Sequence, residues 1–366
     1  MSETHDRNAT DKSNGNRDMN ISTTTVSQRN HQDHQQSTKH AGAAVKAALA
    51  ANIGVAVAKM CAATFTGSSA MLSESVHSVA DCSNEIVLMI GGRFSKHRTD
   101  GDHPFGLYRA KYLASFVVAT LLFFVGGFFS TSEAVKKIIT VVAEPSLRNT
   151  NRVELIAAFM VVLVSACLEG YGLHSSVKEA NERMTRTRTP HMGIFRFWRR
   201  TKSAELASVI MEDTLALIGL AFAGTGIGLA ILLNDELWDA IGGLMVGLVL
   251  ICGSLLLAFK SGSLLLGENV DQVTRDEIIA AVTATPGVNR LLNMQTIHMS
   301  EDDILLCLKV ETSKLDRDYD VETVDKIERS VRSALPWYRF EIYVEPDIFR
   351  PEAHQHALHE RSMKSF

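Results

Sequence analysis

His77 and Asp81 are the two residues of this sequence whose types and spacing could do metal chemistry. Both lie within residues 66–92, a stretch long and apolar enough for a membrane-crossing helix. Because they are four positions apart, a helix would stack them one turn apart on one face. An imidazole and a carboxylate placed in this way can bind a divalent transition metal. Since ionisable side chains at membrane depth are costly, they indicate a functional site, and we expect a metal ion to move past this helix.

A second acidic pair, Glu212 and Asp213, interrupts another apolar stretch. One interpretation is structural, with the pair engaged in helix–helix hydrogen bonds or paired with Lys59. The functional interpretation brings Asp213 opposite His77 and Asp81, where two carboxylates and a neutral imidazole would offset the charge of a dication. Metal binding would then depend on pH, because these ligands must first lose their protons. That dependence is the physical basis for exchanging a metal ion against protons.

These residues need helices that cross a membrane, and a spanning helix takes about 20 mostly apolar residues. The predicted fold class is an all-α membrane domain over residues 41–260, with six helices at about residues 42–65, 70–92, 112–135, 153–174, 204–233 and 238–259. The first, second and fifth of these helices carry polar side chains, so we expect them to face the protein interior or a water-filled path, while the other three meet lipid.

Lysine and arginine are concentrated in two predicted connections, between the second and third helices and between the fourth and fifth. The turns after the first and fifth helices carry neither residue, and the turn after the third is mixed. This distribution predicts that both termini lie in the cytoplasm or its topological equivalent. Residues 1–40 are polar and lack the apolar segment of a signal peptide, so we expect a disordered tail and a bacterial inner membrane, with an organelle membrane as the alternative. A second polar tail is expected at residues 348–366.

From about residue 261 to 347 the pattern becomes that of a small water-soluble domain. A helix ends at Pro286-Gly287, two strands flank the polar turn Glu301-Asp302, and a second amphipathic helix precedes a third strand. This α-β-β-α-β order predicts an α+β domain of ferredoxin-like type, in which two helices cover a short sheet. Because so small a sheet usually packs against a partner, we expect a homodimer through this cytoplasmic domain.

The composition disfavours several classes of protein. With 37 Lys and Arg against 41 Asp and Glu, the formal net charge is −4, which argues against a nucleic-acid-binding protein. The five cysteines are scattered without a CxxC spacing, which argues against disulfides and against a thiolate metal site. No nucleophile–base pair or phosphate-binding glycine loop stands out, so we expect neither an enzyme nor a bound cofactor.

Two segments, GSSAMLSESVHSVADCSNE in the second helix and DHPFGLYRAK in the following loop, resemble the cation diffusion facilitator family of zinc and related divalent-cation transporters. The resemblance covers about residues 41–346 and includes the six helices, the cytoplasmic termini and the tail domain. It implies a homodimeric antiporter that moves its ion out of the cytoplasm, or into an organelle, in exchange for protons. His77 and Asp81 stand at the family's metal positions.

The fifth helix departs from the family's usual pattern of two ligands from each of two helices. Val209, which cannot bind a metal, stands four residues before Asp213. The segments LEG at 168–170 and MED at 211–213 are similar to one branch of the family, which carries a Glu-Asp pair in the fifth helix. Glu212 points about 100° away from Asp213 in a regular helix. The fourth ligand therefore stays open among water, Glu212, Ser73, Asn52 and Glu169.

The donor set favours Zn²⁺ but does not fix the metal. Histidine with carboxylates suits Zn²⁺, Co²⁺ or Fe²⁺, and the missing second histidine adds Mn²⁺ as an alternative. A non-transporting membrane scaffold or metal sensor is the alternative from another functional class.

Two further places offer weaker candidate ligands. Asp102 and His103 match positions at which some family members bind a second ion, but Leu107 replaces the third ligand, and a solvated turn is the competing interpretation. In the tail domain the candidate groups are His298, Glu345 and Asp347, although a strand histidine is more often simply polar.

Overall fold

The computed structural model describes residues 49–50, 52–95, 102–144, 152–186, 193–313 and 317–347, without the side chains of 317–320. The two predicted tails, residues 1–40 and 348–366, lie outside this part. The chain divides into two compact units, Met1–Val55 and Ala56–Phe366. The first contributes only the start of one helix to the described residues.

The helices and strands follow the predicted order. The helices are α1 (Asn52–Thr66), α2 (Ser69–Phe94), α3 (Ala110–Leu121), α4 (Ser130–Ala143), α5 (Arg152–Arg186), α6 (Ile194–Arg200), α7 (Ala204–Leu233), α8 (Leu237–Leu266), α9 (Gln272–Thr283) and α10 (Arg317–Ala334). A π-helical stretch (Leu122–Phe129) joins α3 to α4 into one continuous helix. The strands are β1 (Val288–His298), β2 (Asp303–Thr312) and β3 (Arg339–Asp347).

Four helical segments in the described part are long and apolar enough to cross a membrane: Ala110–Ala143, Arg152–Thr185, Ala204–Leu233 and Leu237–Leu266. They correspond to the third to sixth predicted spans. The described part of α1 is shorter, and α2, although 26 residues long, carries polar side chains that lower its mean hydropathy. The first two spans, and with them the six-helix arrangement, therefore stay predictions.

Three of the predicted spans extend beyond their predicted ends, and the third of the six reaches Ala143 instead of residue 135. α5 continues from the expected boundary at residue 174 to Arg186, because the polar segment after it is rich in good helix formers and buries Ala180 and Met184. α8 passes the expected domain boundary at residue 260 and ends at Leu266, before Gly267 with a φ of 110°. Apolar content marks the membrane-depth part of a helix and not its end.

Small residues bring α7 and α8 into close contact. A Cβ atom added to Gly226 would lie 2.8 Å from the Cα atom of Gly242. A Cβ atom on Gly243 would lie 3.0 Å from the backbone oxygen of Ser69, at the start of α2. Such close approach gives the van der Waals packing that holds membrane helices together. α2 consequently lies against α8 with much of its length buried.

Asp239, fully buried on α8, fixes the first turn of α2. Its carboxylate accepts hydrogen bonds from Ser68 Oγ at 2.5 Å, from the Ser69 backbone N–H at 2.6 Å and from the Ala70 backbone N–H at 3.3 Å. Lys137 of α4 donates to the same carboxylate at 3.0 Å. The free N–H groups and the dipole of a helix N-terminus stabilise a negative charge placed there. The helix that carries the predicted metal ligands therefore begins at a fixed place.

The C-terminal domain has the predicted α-β-β-α-β order, with strands arranged β1-β2-β3. β1 pairs with β2 antiparallel, and β2 pairs with β3 parallel. Alternate residues of β2 point to opposite faces, so one face is apolar and packs against α9 and α10. That core contains Ile304, Leu306, Leu308, Val310, Phe340, Ile278, Ile327 and Val331.

We predict that Asp239→Asn destabilises the helical domain by on the order of 3 kcal/mol, because it leaves Lys137 without its buried counter-charge. The measurement is the thermal unfolding midpoint of the purified protein in detergent, followed by loss of the monodisperse fraction. Glu236→Gln is the matched control, since Glu236 also approaches Lys137, at 3.6 Å, but is partly exposed. An exposed ion pair contributes about 1 kcal/mol or less. Equal midpoints for the two variants would contradict the role assigned to Asp239.

Candidate functional site

His77 and Asp81 lie on one face of α2, as their spacing predicts. His77 Nδ1 is 3.5 Å from Asp81 Oδ1, and the imidazole is completely buried. Within the described residues, neither ring nitrogen of His77 has a hydrogen-bond partner, and neither does Asp81 Oδ1. Buried polar atoms are nearly always hydrogen-bonded, so each exception calls for an explanation. Three unpartnered nitrogen and oxygen atoms one helical turn apart are the ligand types that a divalent transition metal binds.

Asp213 of α7 faces the same region from the other side. Its Oδ2 atom accepts a hydrogen bond from Ser176 Oγ of α5 at 2.9 Å. A Cβ atom on Gly172 of α5 would lie 3.7 Å from Asp213 Oδ1, an ordinary contact distance, so α5 passes close to this carboxylate. Asp213 is close enough to Asp81 for their charges to interact. Two carboxylates and an imidazole, on two helices, are therefore brought to one part of the bundle.

These side chains do not form a closed coordination shell in this structure. Within the described ranges, no group of three or more His, Cys, Asp or Glu side chains is arranged to hold a metal ion. The set His77, Asp81 and Asp213 stays a predicted ligand set.

Glu212 is buried against α2. Its Oε1 atom has no hydrogen-bond partner among the described residues. It lies near Asn84 and is close enough to Asp81 for their charges to interact. The direction of its side chain thus differs from that of Asp213, as expected for consecutive helix residues.

The other proposed accessory ligands are engaged elsewhere. Ser73 donates a hydrogen bond to the Gly243 carbonyl of α8 at 3.4 Å. Glu169 Oε1 lies 3.6 Å from Lys59 Nζ. Asn52 is the first residue of α1 and belongs to the other compact unit. The identity of a fourth ligand stays a prediction.

Lys59 makes an ion-pair cluster that the sequence did not reveal. Its Nζ atom lies 3.3 Å from Glu74 Oε2 of α2 as well as 3.6 Å from Glu169 Oε1 of α5. Within the described residues Lys59 pairs with these two carboxylates, so the ion pair with Lys59 that was weighed for Glu212 and Asp213 is wrong. The helix–helix hydrogen bond weighed for the same acidic pair is present, between Asp213 and Ser176. The sequence contained Lys59 and Glu74 in two consecutive predicted helices, but it did not indicate that they meet.

Asp102 and His103 lie in the loop before α3, and both side chains are exposed. The backbone carbonyl of His103 accepts a hydrogen bond from the Gly106 N–H at 2.9 Å, which forms a turn. This geometry is that of the competing turn interpretation, and a second metal site at these residues stays a prediction.

His298 lies inside the C-terminal domain and not on its surface. Its side chain is buried, and Nδ1 lies 3.1 Å from the backbone oxygen of Ser300. Burial, with a contribution from the charge of Lys202, lowers the pKa of His298 to about 4. Glu345 and Asp347 instead pair with Lys309, at 3.0 and 2.8 Å. The three side chains suggested as tail-domain ligands are thus a buried histidine and two carboxylates paired with a lysine.

Comparison with known proteins gives a match over most of the helical region. A family model described as the cation efflux transmembrane domain matches residues 45–266. The chain is 26% identical over 256 residues to the proton-coupled zinc antiporter SLC30A9, mitochondrial, of Xenopus laevis, which covers 69% of this chain and 43% of that protein. The human protein of the same name is 28% identical over 220 residues, covering 59% of this chain and 37% of that protein.

A bacterial relative is matched over more of its length. The magnetosome protein MamM of Paramagnetospirillum magneticum is 22% identical over 291 residues, or 78% of this chain and 81% of MamM. By contrast, the chain spans only about two-fifths of the length of the zinc antiporters above.

The buried His298 predicts a pH dependence of the C-terminal domain. In the unfolded chain its pKa is near 6.5, while in the fold it is about 4, so the unfolded state binds more protons between these values. Stability is therefore lost as the pH falls from about 6.5 towards 4, by about 2 kcal/mol between pH 7 and pH 5. His298→Asn keeps a donor near the Ser300 carbonyl, does not titrate, and should remove most of this loss.

The measurement is hydrogen-exchange protection of β1 and β2 peptides in the full-length protein, corrected for the intrinsic pH dependence of exchange. His103→Asn is the control, because His103 is exposed. The assignment fails if His298→Asn and the unmutated protein lose the same protection between pH 7 and pH 5.

Proposed function

The chain belongs to the cation diffusion facilitator, or cation efflux, family, and from this premise we propose that it exports Zn²⁺ in exchange for protons. Members of this family are transporters and not enzymes. The observation that carries the proposal is the buried His77–Asp81 pair of α2, whose unpartnered nitrogen and oxygen atoms lie near Asp213 of α7. In this proposal the metal ion is the cargo, and no bound cofactor is needed.

The preference for Zn²⁺ rests on the ligand types and on the relatives. One imidazole with carboxylates suits Zn²⁺, and the Xenopus and human relatives are named zinc antiporters. The chain is 26–28% identical to these relatives and spans about two-fifths of their length. Their names therefore support Zn²⁺ as the transported ion only at the level of the family. Mn²⁺, Fe²⁺ and Co²⁺ are the alternatives, since the position four residues before Asp213 is Val209.

Proton exchange follows from the same ligands. An imidazole binds metal through a free lone pair, and a carboxylate binds it when ionised, so protons and the metal compete for His77, Asp81 and Asp213. A proton gradient can then drive the metal the opposite way, provided that the site opens to each side of the membrane in turn.

We further propose six spanning helices, cytoplasmic termini and a homodimer formed through the C-terminal domain of ferredoxin-like type. The described part of the basic connection before α7 includes the short helix α6, where Arg196, Arg199 and Arg200 are exposed. Such residues favour the cytoplasmic side and anionic lipid headgroups. A bacterial inner membrane is the proposed location, and the mitochondrial relatives keep an organelle membrane as the alternative.

One observation favours a second candidate function. No preformed cluster of three metal ligands is present within the described residues, and Val209 replaces a usual ligand. A membrane scaffold or metal sensor needs no transport site, so this reading predicts no dependence on the carboxylate of Asp81.

The test is metal uptake into proteoliposomes with an imposed pH gradient, scanned over Zn²⁺, Mn²⁺, Fe²⁺ and Co²⁺. We expect Zn²⁺ to accumulate only when the gradient is present. Asp81→Asn should lower uptake by more than the roughly tenfold that loss of a ligand's hydrogen-bond partner costs.

Glu205→Gln is the matched control, since it removes an exposed carboxylate paired with Lys111 near the start of α7. It should transport like the unmutated protein. Equal uptake by Asp81→Asn and Glu205→Gln, or no uptake of any ion by the unmutated protein, would exclude the transport site and leave the scaffold or sensor.

A further inference from the structure

We propose that Lys59 is a fixed counter-charge that withholds Glu74 and Glu169 from the transported metal, so that this part of the bundle takes one dication and not two. The inference rests on the proposed transport function. It assigns Lys59 a role in setting how many ions bind, although its side chain does not itself bind metal. We call it a positioning residue for this reason.

Glu74 occupies a position from which it would ordinarily bind a metal. It stands three residues before His77 and seven before Asp81, so all three lie along one face of α2. The spacing Glu-x-x-His is the one used in helical bundles that hold two metal ions between carboxylates and histidines. By sequence position alone, Glu74 would therefore extend the predicted site towards a second ion.

The structure shows Glu74 turned to Lys59 instead. The ammonium lies 3.3 Å from Glu74 Oε2, and both side chains have no solvent exposure. The same ammonium lies 3.6 Å from Glu169 Oε1, which belongs to α5. One cation on α1 is shared by two carboxylates on two other helices, an arrangement that a metal ion could equally provide.

The carboxylate of Glu74 also lies close to α7. Its Oε1 atom would be 2.5 Å from a Cβ atom built on Gly219, and it has no hydrogen-bond partner among the described residues. Glu74 thus lies between Lys59 and the backbone of α7, and Lys59 is the cation that it contacts.

The charges around Asp81 show why this matters for the number of ions. Asp81 interacts electrostatically with Lys59 and with the carboxylates Glu74, Glu169 and Asp213. Removing the charge of Lys59 would leave the fully buried Glu74 and the partly buried Glu169 without their cation, and unpaired buried charge is strongly unfavourable. A second dication could then neutralise the negative charge of these carboxylates. In the unmutated protein Lys59 supplies positive charge at this place, and it stays there because it is part of the chain.

A purely structural ion pair and a charge-setting residue predict different results. If Lys59 only holds helices together, its replacement lowers stability and leaves the number of bound ions unchanged. If it withholds two carboxylates, its replacement frees them, and one further ion binds per protomer.

The experiment counts Zn²⁺ ions per protomer in the purified full-length protein by equilibrium dialysis and elemental analysis. Only the monodisperse fraction is counted, and each variant is compared with the unmutated protein. We expect Lys59→Met and Lys59→Gln to gain one ion, and Lys59→Arg to gain none. The glutamine variant keeps a hydrogen-bond donor for the carboxylates. If the methionine variant does not fold, the number of bound ions can still be measured on the glutamine variant. The double variant Lys59→Gln with Glu74→Gln should return to the original count.

Lys137→Met is the matched control, because it breaks another partly buried lysine–carboxylate pair at the start of α2, away from the proposed site. It should lose stability and gain no ion. An unchanged count in both Lys59→Met and Lys59→Gln, or a gained ion in Lys137→Met, would overturn the role of Lys59.

Asp81→Asn separates this inference from the transport site. If that variant binds as many ions as the unmutated protein, the proposed transport site is wrong. If it loses one ion, the transport site is supported, and the counts for the Lys59 variants then decide the role of Lys59.

Discussion

The cost of keeping charge away from water governs how this helical bundle is arranged. Each buried charge that serves the fold has a counter-charge or a set of donors: Lys59 with Glu74 and Glu169, and Asp239 with Lys137 and the first turn of α2. Unpaired buried charge would be far less favourable than either arrangement. The buried polar atoms that lack a hydrogen-bond partner in the described residues are therefore the places where a ligand could still add a favourable interaction.

Several of these places lie near the predicted site. Among the described residues, both ring nitrogens of His77 and one oxygen each of Glu74, Asp81 and Glu212 lack hydrogen-bond partners, while others, such as the hydroxyls of Tyr112 and Thr323, lie elsewhere. A buried lone pair without a partner is unfavourable, so a cation that binds to it removes this cost. Atoms that already have hydrogen-bond partners gain less from binding a cation.

Local sequence was enough to predict some of this and not the rest. The four-residue spacing of His77 and Asp81 placed them on one face because helix geometry is local. The α-β-β-α-β order followed from short-range patterns of the same kind. The partners of Lys59 could not be predicted, because they lie on helices 15 and more residues away and depend on which faces pack together. The reach of α5 to Arg186 was also missed, because apolar content was taken as the measure of helix length.

The longer α5 has a structural consequence of its own. Its last turns carry Arg183, which lies 3.2 Å from Glu301 and 3.3 Å from Asp302 in the turn between β1 and β2. The polar turn that the sequence indicated only as a connection therefore contacts a helix that also holds Glu169 and Ser176. An arginine at the end of a helix of the helical domain thus forms ion pairs with the C-terminal domain.

The carboxylate of Asp239 ties three helices into a single mechanical body. It holds the start of α2, belongs to α8 and is paired with α4 through Lys137. Any sliding of α2 against either neighbour would have to break several short hydrogen bonds at once, with little water nearby to replace them.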